Sequence, residues 1–164
     1  MAELPDFAAF YAALFGPLSA QMYVFTGDHA EAQDLAQEAF CRAYARWDRI
    51  GRYDDPAAWV TRVAWNMAVS RWRRGRLLRH WHRDLLPAPQ DAPTAAHIDI
   101  VRALAQLPAN QRQAVVLHYI ADMPVADVAA FVGVAEGTVK AWLHRGRAAL
   151  KTVLGDGSEE VANV

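Results

Sequence analysis

The chain has 164 residues, 54% hydrophobic and 21% charged, with a formal net charge of -1. That composition excludes a disordered chain, the single cysteine, Cys41, excludes an internal disulfide, and no unbroken run of 18 apolar residues marks a membrane span. Glu3 and Asp6 stand where a secretory leader would be basic, so a soluble cytoplasmic protein is expected.

Both halves of the chain read as helical, with no period-2 run and no hairpin turn between strand candidates. The first helix is predicted over residues 6–25, with Phe7, Phe10, Tyr11, Leu14, Leu18, Met22 and Phe25 at spacings of three and four. Gly27 stops it, and Asp28 is the predicted cap of a second helix over 28–48. That helix has an inward stripe of Ala32, Leu35, Ala36, Ala39, Phe40, Ala43, Tyr44 and Trp47. Its other face carries Glu31, Asp34, Gln37, Glu38, Arg42 and Arg49. After the polar loop GRYDD, Asp55 and Pro56 open a third helix, as cap and first residue. It extends to Trp81, with Trp59, Val60, Val63, Ala64 and Met67 inward. Arg62, Asn66, Ser70, Arg73 and Arg74 project from one side, with Trp59, Trp65 and Trp72 interleaved. Arginines among aromatics suit single-stranded nucleic acid, since phosphates meet guanidinium and unstacked bases meet ring faces. Large aromatics at helical spacing are more often core. Trp59 is therefore expected inside, while Trp65 and Trp72 lie toward the arginines.

Pro87, Pro89 and Pro93 fall in the one proline-rich stretch, read as an extended linker over 84–96. Beyond it, Ile98, Val101, Leu104 and Leu107 define a helix that ends at Pro108. A second covers 110–121 with Val115, Val116, Tyr119 and Ile120 inward. A short helix follows through Val125, Val128, Ala129 and Val132, closed by Gly133, and another opens at Ala135 or Glu136. These last two fit a helix-turn-helix. Ala129 is small where the helices cross, Gly133 is free to take a positive φ, and Val128, Val134 and Val139 are apolar anchors. The second helix then offers Glu136, Thr138, Lys140, Ala141, His144, Arg145 and Arg147 to a major groove.

Charge is segregated along the chain. Residues 1–41 hold six acids and no Lys or Arg, 42–83 hold eleven Arg against three Asp, and 140–151 hold four cations and no acid. Two basic segments between acidic ones fit two polyanion contacts and a separate contact for a basic partner. The histidines and the lone cysteine show no metal-ligand spacing, His80 and His82 included, so no metal and no cofactor are expected. No nucleophile elbow or phosphate loop is present, so no enzyme activity is expected.

The strings HAEAQDLAQEAFCRAYARW, WVTRVAWNMAVSRWRR and LPANQRQAVVLHYIADMPVADVAAFVGVAEGTVKAWLHRGRAALK, in that order, carry a resemblance. The chain resembles a bacterial RNA polymerase sigma factor of the sigma-70 family, in the extracytoplasmic-function group, over about residues 5–153. The resemblance implies an all-α fold of two small domains. Residues 5–83 would be a region 2-like domain and 97–154 a region 4-like helix-turn-helix domain, with 84–96 as linker and 155–164 as a flexible acidic tail. It implies no catalysis of its own. It assigns Asp34, Leu35, Gln37, Glu38, Phe40 and Arg42 to the surface that meets the β′ coiled coil of core RNA polymerase. It assigns Tyr53, within the loop Gly51–Asp55, and Arg62, Trp65, Asn66, Ser70, Arg73 and Arg74 to -10 recognition and melting. Asn66 falls where the family contacts a flipped base; Trp65 beside it would be a wedge between bases or a packing residue. His118, Glu136, Thr138, Lys140, Ala141, His144, Arg145 and Arg147 fall to -35 recognition. The implied partners are core polymerase, through its β′ coiled coil and β flap, and promoter DNA, duplex at -35 and single-stranded at -10. Control by an anti-sigma protein is common in the group, and nothing in the residues singles one out. A free-standing helix-turn-helix regulator is the main rival. It needs a dimer to read two half-sites, and the sequence offers no clear dimer helix.

Overall fold

The computed structural model describes residues 5–81 and 95–161, with side chains described for 5–75 and 99–155. Among these residues every regular element is helical, and the chain divides into two compact units, Met1–Gln90 and Asp91–Val164. The expected extended linker falls mostly at 82–94, outside the described residues.

The first unit holds α1 (Phe7–Thr26), α2 (His29–Tyr44), α3 (Trp47–Ile50) and α4 (Pro56–Trp81). Polar side chains set the boundaries. Asp6 accepts from Ala8 N at 3.1 Å, Asp28 from Glu31 N at 3.1 Å and Asp55 from Ala58 N at 2.9 Å. Each satisfies an N–H that a helix start leaves open. Gly27 ends α1 at φ +76°, a left-handed conformation that glycine adopts without a Cβ clash. The inward side of α2 is mostly alanine (Ala32, Ala36, Ala39, Ala43), so α1 and α4 approach it closely and bury Leu18, Met22, Phe25, Val60 and Ala64. Phe7, Phe10, Tyr11 and Phe15 of α1 ring Phe40, with the Tyr11 and Phe40 rings edge-to-face at 4.8 Å.

α1 has no charged residue, and with 20 residues at mean hydropathy 1.2 it is long and apolar enough to span a bilayer. The criterion of an unbroken apolar run overlooked it. Leu18, Met22 and Phe25 of that helix lie in the core of the unit.

The helix predicted over 28–48 stops at Tyr44. Ala45 and Arg46 form a bend, and α3 starts a new turn at Trp47. Tyr44, expected inward, is 68% exposed because it sits at this break.

The second unit holds α5 (Ala95–Ala105), α6 (Ala109–Val115), a π-helical turn (Val116–Ile120), α7 (Val125–Val132) and α8 (Glu136–Val161). The predicted helix over 110–121 is thus α6 continued by one wide turn, in which Ala121 N–H reaches Val116 O at 3.0 Å. The wide turn shifts the face: Val115 and Val116 are buried as expected, whereas Tyr119 and Ile120 are 47% and 42% exposed. Arg112 is buried and donates to Ala105 O at 3.1 Å and Leu107 O at 3.2 Å, satisfying carbonyls at the C-terminal end of α5. At Gly146, α8 lies so close to α6 that an added Cβ would meet Val115 Cγ2 at 2.9 Å. α8 also runs past residue 154 to Val161, so 155–161 is helix and not the expected tail.

Candidate nucleic-acid interfaces

The helix-turn-helix is built from α7, Gly133 and α8. Gly133 takes φ +82°, and the N–H groups of Gly133 and Val134 both donate to Ala129 O, at 2.8 and 3.0 Å. Val128, Ala129, Val139 and Leu143 are buried beneath that turn. Burial of Val139, Leu143 and Gly146 turns the rest of α8 outward. Glu136, Lys140 and His144, four residues apart, are exposed along one line, with Arg145 and Arg147 exposed beside it. Thr138 and Ala141 are half-buried at the edge of this face.

His118 is half-buried, and its Nδ1 lies 2.8 Å from Met123 O. This bond needs the proton on Nδ1 and ties the π turn to the segment leading into α7. Asp122, inside that segment, takes φ +52°.

In α4 the buried stripe is Val60, Ala64, Trp65 and Ala68. Trp65 is 0% exposed; its ring meets Phe25 edge-on at 5.0 Å, and Nε1 donates to Gln21 Oε1 at 3.4 Å. This corrects the -10 assignment of Trp65: a ring enclosed by α1 and α4 offers no face to a base. The expectation for Trp59 shifts too, since Trp59 is half-buried, as is Trp72. Arg62, Asn66, Ser70, Arg73 and Arg74 are all exposed, on the side away from the stripe. At the start of α4, Tyr53 is exposed in a turn fixed by Arg52 N–H to Arg49 O (3.2 Å) and Tyr53 N–H to Ile50 O (3.0 Å).

On α2, Asp34, Gln37 and Arg42 are exposed. Glu38 is half-buried and bridges two helices, pairing with Arg42 on α2 and with Arg71 of α4 at 2.9 Å. Leu35 and Phe40 are buried in the core, which corrects their assignment to the docking surface. They hold α2 in place by packing within the unit. Arg71 was missed by the sequence reading. Its arginine run was visible, but its pairing with a glutamate on another helix was not. Among the described residues no cluster of His, Cys, Asp and Glu has the makings of a metal site, and the side chains of His80 and His82 lie outside them.

Residues 10–78 match the family model of Sigma-70 region 2, and residues 97–150 match that of Sigma-70 region 4. The chain belongs to the sigma-70 family. It is similar to the RNA polymerase sigma-E factor of Streptomyces coelicolor, with 35% identity over 130 residues, 77% of this chain and 73% of that one. It is also similar to the ECF RNA polymerase sigma factor SigW of Bacillus subtilis, with 28% identity over 151 residues, 82% and 81% of the two chains. Among solved structures it resembles sigma factor RpoE of Bartonella quintana, crystallised with the anti-sigma factor NepR. There the TM-score is 0.77 at 27% identity, covering 92% of this chain and 97% of that one. This sigma factor is thus of the extracytoplasmic-function group and serves promoter-specific transcription initiation with RNA polymerase. Sigma factors are initiation factors, not enzymes in the usual sense.

Proposed function

We propose that the two units divide promoter recognition, with α8 reading the -35 duplex and α4 with the loop Gly51–Asp55 taking the melted -10 strand. The observation that carries this is the sorting of side chains on the two basic helices. On α4 and α8 the assigned polar residues are exposed or at the edge of the exposed face, while their apolar neighbours fill the core. On α8, Lys140 and His144 face base edges, Arg145 and Arg147 meet phosphates, and His118 braces the turn before α7. On α4, Asn66 hydrogen-bonds a flipped base while Arg62, Arg73 and Arg74 hold the strand and Ser70 donates to it. Extruding a base costs a few kcal/mol, which these contacts offset. Asp34, Gln37, Glu38 and Arg42 form the face of α2 that meets core polymerase. By likeness to RpoE held by NepR, an anti-sigma protein is a further partner of this chain.

The test is multi-round transcription by core polymerase on pooled genomic fragments, with and without the chain. Discrete chain-dependent transcripts are expected, and their start sites report the -10 and -35 sequences. No transcripts and no binding to core polymerase would refute the reading and leave a free-standing regulator.

A further inference from the structure

Arg71 stands apart from the other arginines of α4. Arg73 and Arg74 are exposed on the side that carries Arg62, Asn66 and Ser70. Arg71 follows Ala64 by seven residues and Ala68 by three, so helical phase puts it in line with the buried stripe, about one turn past Ala68. There it is half-buried and reaches α2: Nη2 donates to Glu38 Oε2 at 2.9 Å, across 33 residues of sequence. The other carboxylate oxygen of Glu38 accepts from Arg42, one turn further along α2. Glu38 remains 40% exposed and Arg71 33%, so the carboxylate is held and still open to solvent.

The two arginines act differently on that carboxylate. Arg42 sits on the same helix as Glu38 and moves with it. Arg71 comes from another helix, so its bond fixes where the carboxylate points relative to the body of the unit. A free glutamate side chain loses rotamer freedom when a partner binds it. Glu38 has lost that freedom within the chain, with one oxygen on each arginine. A carboxylate offers about four acceptor positions, and those left over are held ready for an incoming N–H.

We propose that Arg71 is a positioning residue for the capture of core polymerase: from α4 it holds the Glu38 carboxylate in the orientation that accepts from a donor group of the polymerase. The inference rests on the reading that the face of α2 with Glu38 meets core polymerase. It adds a residue of α4 that acts on this contact through Glu38 and touches neither polymerase nor DNA. Its contribution is pre-organisation, since ordering a long side chain at an interface weakens binding, and here the ordering precedes it.

The test measures the dissociation constant of the full chain for core polymerase without DNA, by anisotropy of a labelled chain. The variants are Arg71→Ala, Arg71→Lys, Glu38→Ala and Arg71→Ala combined with Glu38→Ala. Arg71→Ala should weaken capture about two- to tenfold, the range for freeing one long side chain. Arg71→Lys keeps the charge without the planar fork and should recover part of that loss. In the Glu38→Ala background, Arg71→Ala should change nothing further, because the group it positions is gone. The ion pairs are partly exposed, so every variant should fold, which circular dichroism checks; Arg71→Lys, the milder change, carries the comparison if Arg71→Ala does not. A loss that persists in the Glu38→Ala background overturns the proposal, because Arg71 then acts without Glu38. Weakened capture by Glu38→Ala with unchanged capture by Arg71→Ala also overturns it and leaves the docking face intact. Tighter capture by Arg71→Ala overturns it as well, since the pair would then screen Glu38 from polymerase. If Glu38→Ala binds like the unaltered chain, the docking reading of Glu38 fails and the proposal falls with it.

Discussion

Trp65 and Asn66 are neighbours in sequence with opposite environments. A step of about 100° along a helix separates the core from the solvent. Trp65 fills the space between α1 and α4, and Asn66 is exposed. Trp65→Ala should therefore cost about 3–5 kcal/mol as a cavity, measured by denaturant unfolding. Trp65→Phe should keep chain-dependent transcription, since a smaller aromatic ring still fills most of the enclosed site. Asn66→Ala should leave stability within about 0.5 kcal/mol, as for an exposed site, and weaken transcription from the start sites the chain selects. The phase of α4 was hard to read because tryptophans occur at 59, 65 and 72 among arginines, and only packing against Phe25 shows which one is inside. Asp122 shows a different residue-scale constraint. It sits at φ +52°, where glycine bears no Cβ penalty, so Asp122→Gly should raise the melting temperature through a gain of about 0.5–1 kcal/mol.

At the scale of elements, the close approaches matter most. Gly146→Val would drive a side chain into Val115 from a Cβ already 2.9 Å away, so α6 and α8 must separate. The expected cost is about 1–3 kcal/mol, read from the unfolding of the second unit, with loss of duplex binding. Nothing in the sequence announces this contact, because a glycine within a basic helix looks like a weak point until its neighbour on α6 is known. The π turn escaped for a similar reason: it forms no sequence signature, yet it carries Tyr119 and Ile120 out of the core. Helix starts at Asp28 and Asp55 and helix stops at Gly27 and Gly133 were legible, because capping is local chemistry. Glu38 belongs between these cases. Its pairs with Arg42 and Arg71 are partly exposed, so Glu38→Ala should change stability by at most about 1 kcal/mol. The same substitution should weaken capture of core polymerase in a pull-down. Unchanged capture would remove Glu38 from the docking face.

At the scale of the whole molecule, each unit has its own core. Leu18, Phe25, Phe40 and Trp65 are buried in the first, and Leu104, Leu117, Val128 and Leu143 in the second. Calorimetry of the full chain should show two transitions, with Trp65→Ala lowering one and Gly146→Val the other. A single transition lowered by both variants would mean that the units fold as one. The sequence by itself determined the helical class and the two basic helices. Periodicity, caps and charge runs are properties of neighbouring residues. The tertiary structure alone decided which side of each helix is buried where the pattern was ambiguous. It enclosed Trp65, exposed Tyr44, and joined Glu38 to Arg71. Those outcomes depend on which helix packs against which, and residues distant in sequence settle that through the volume they fill.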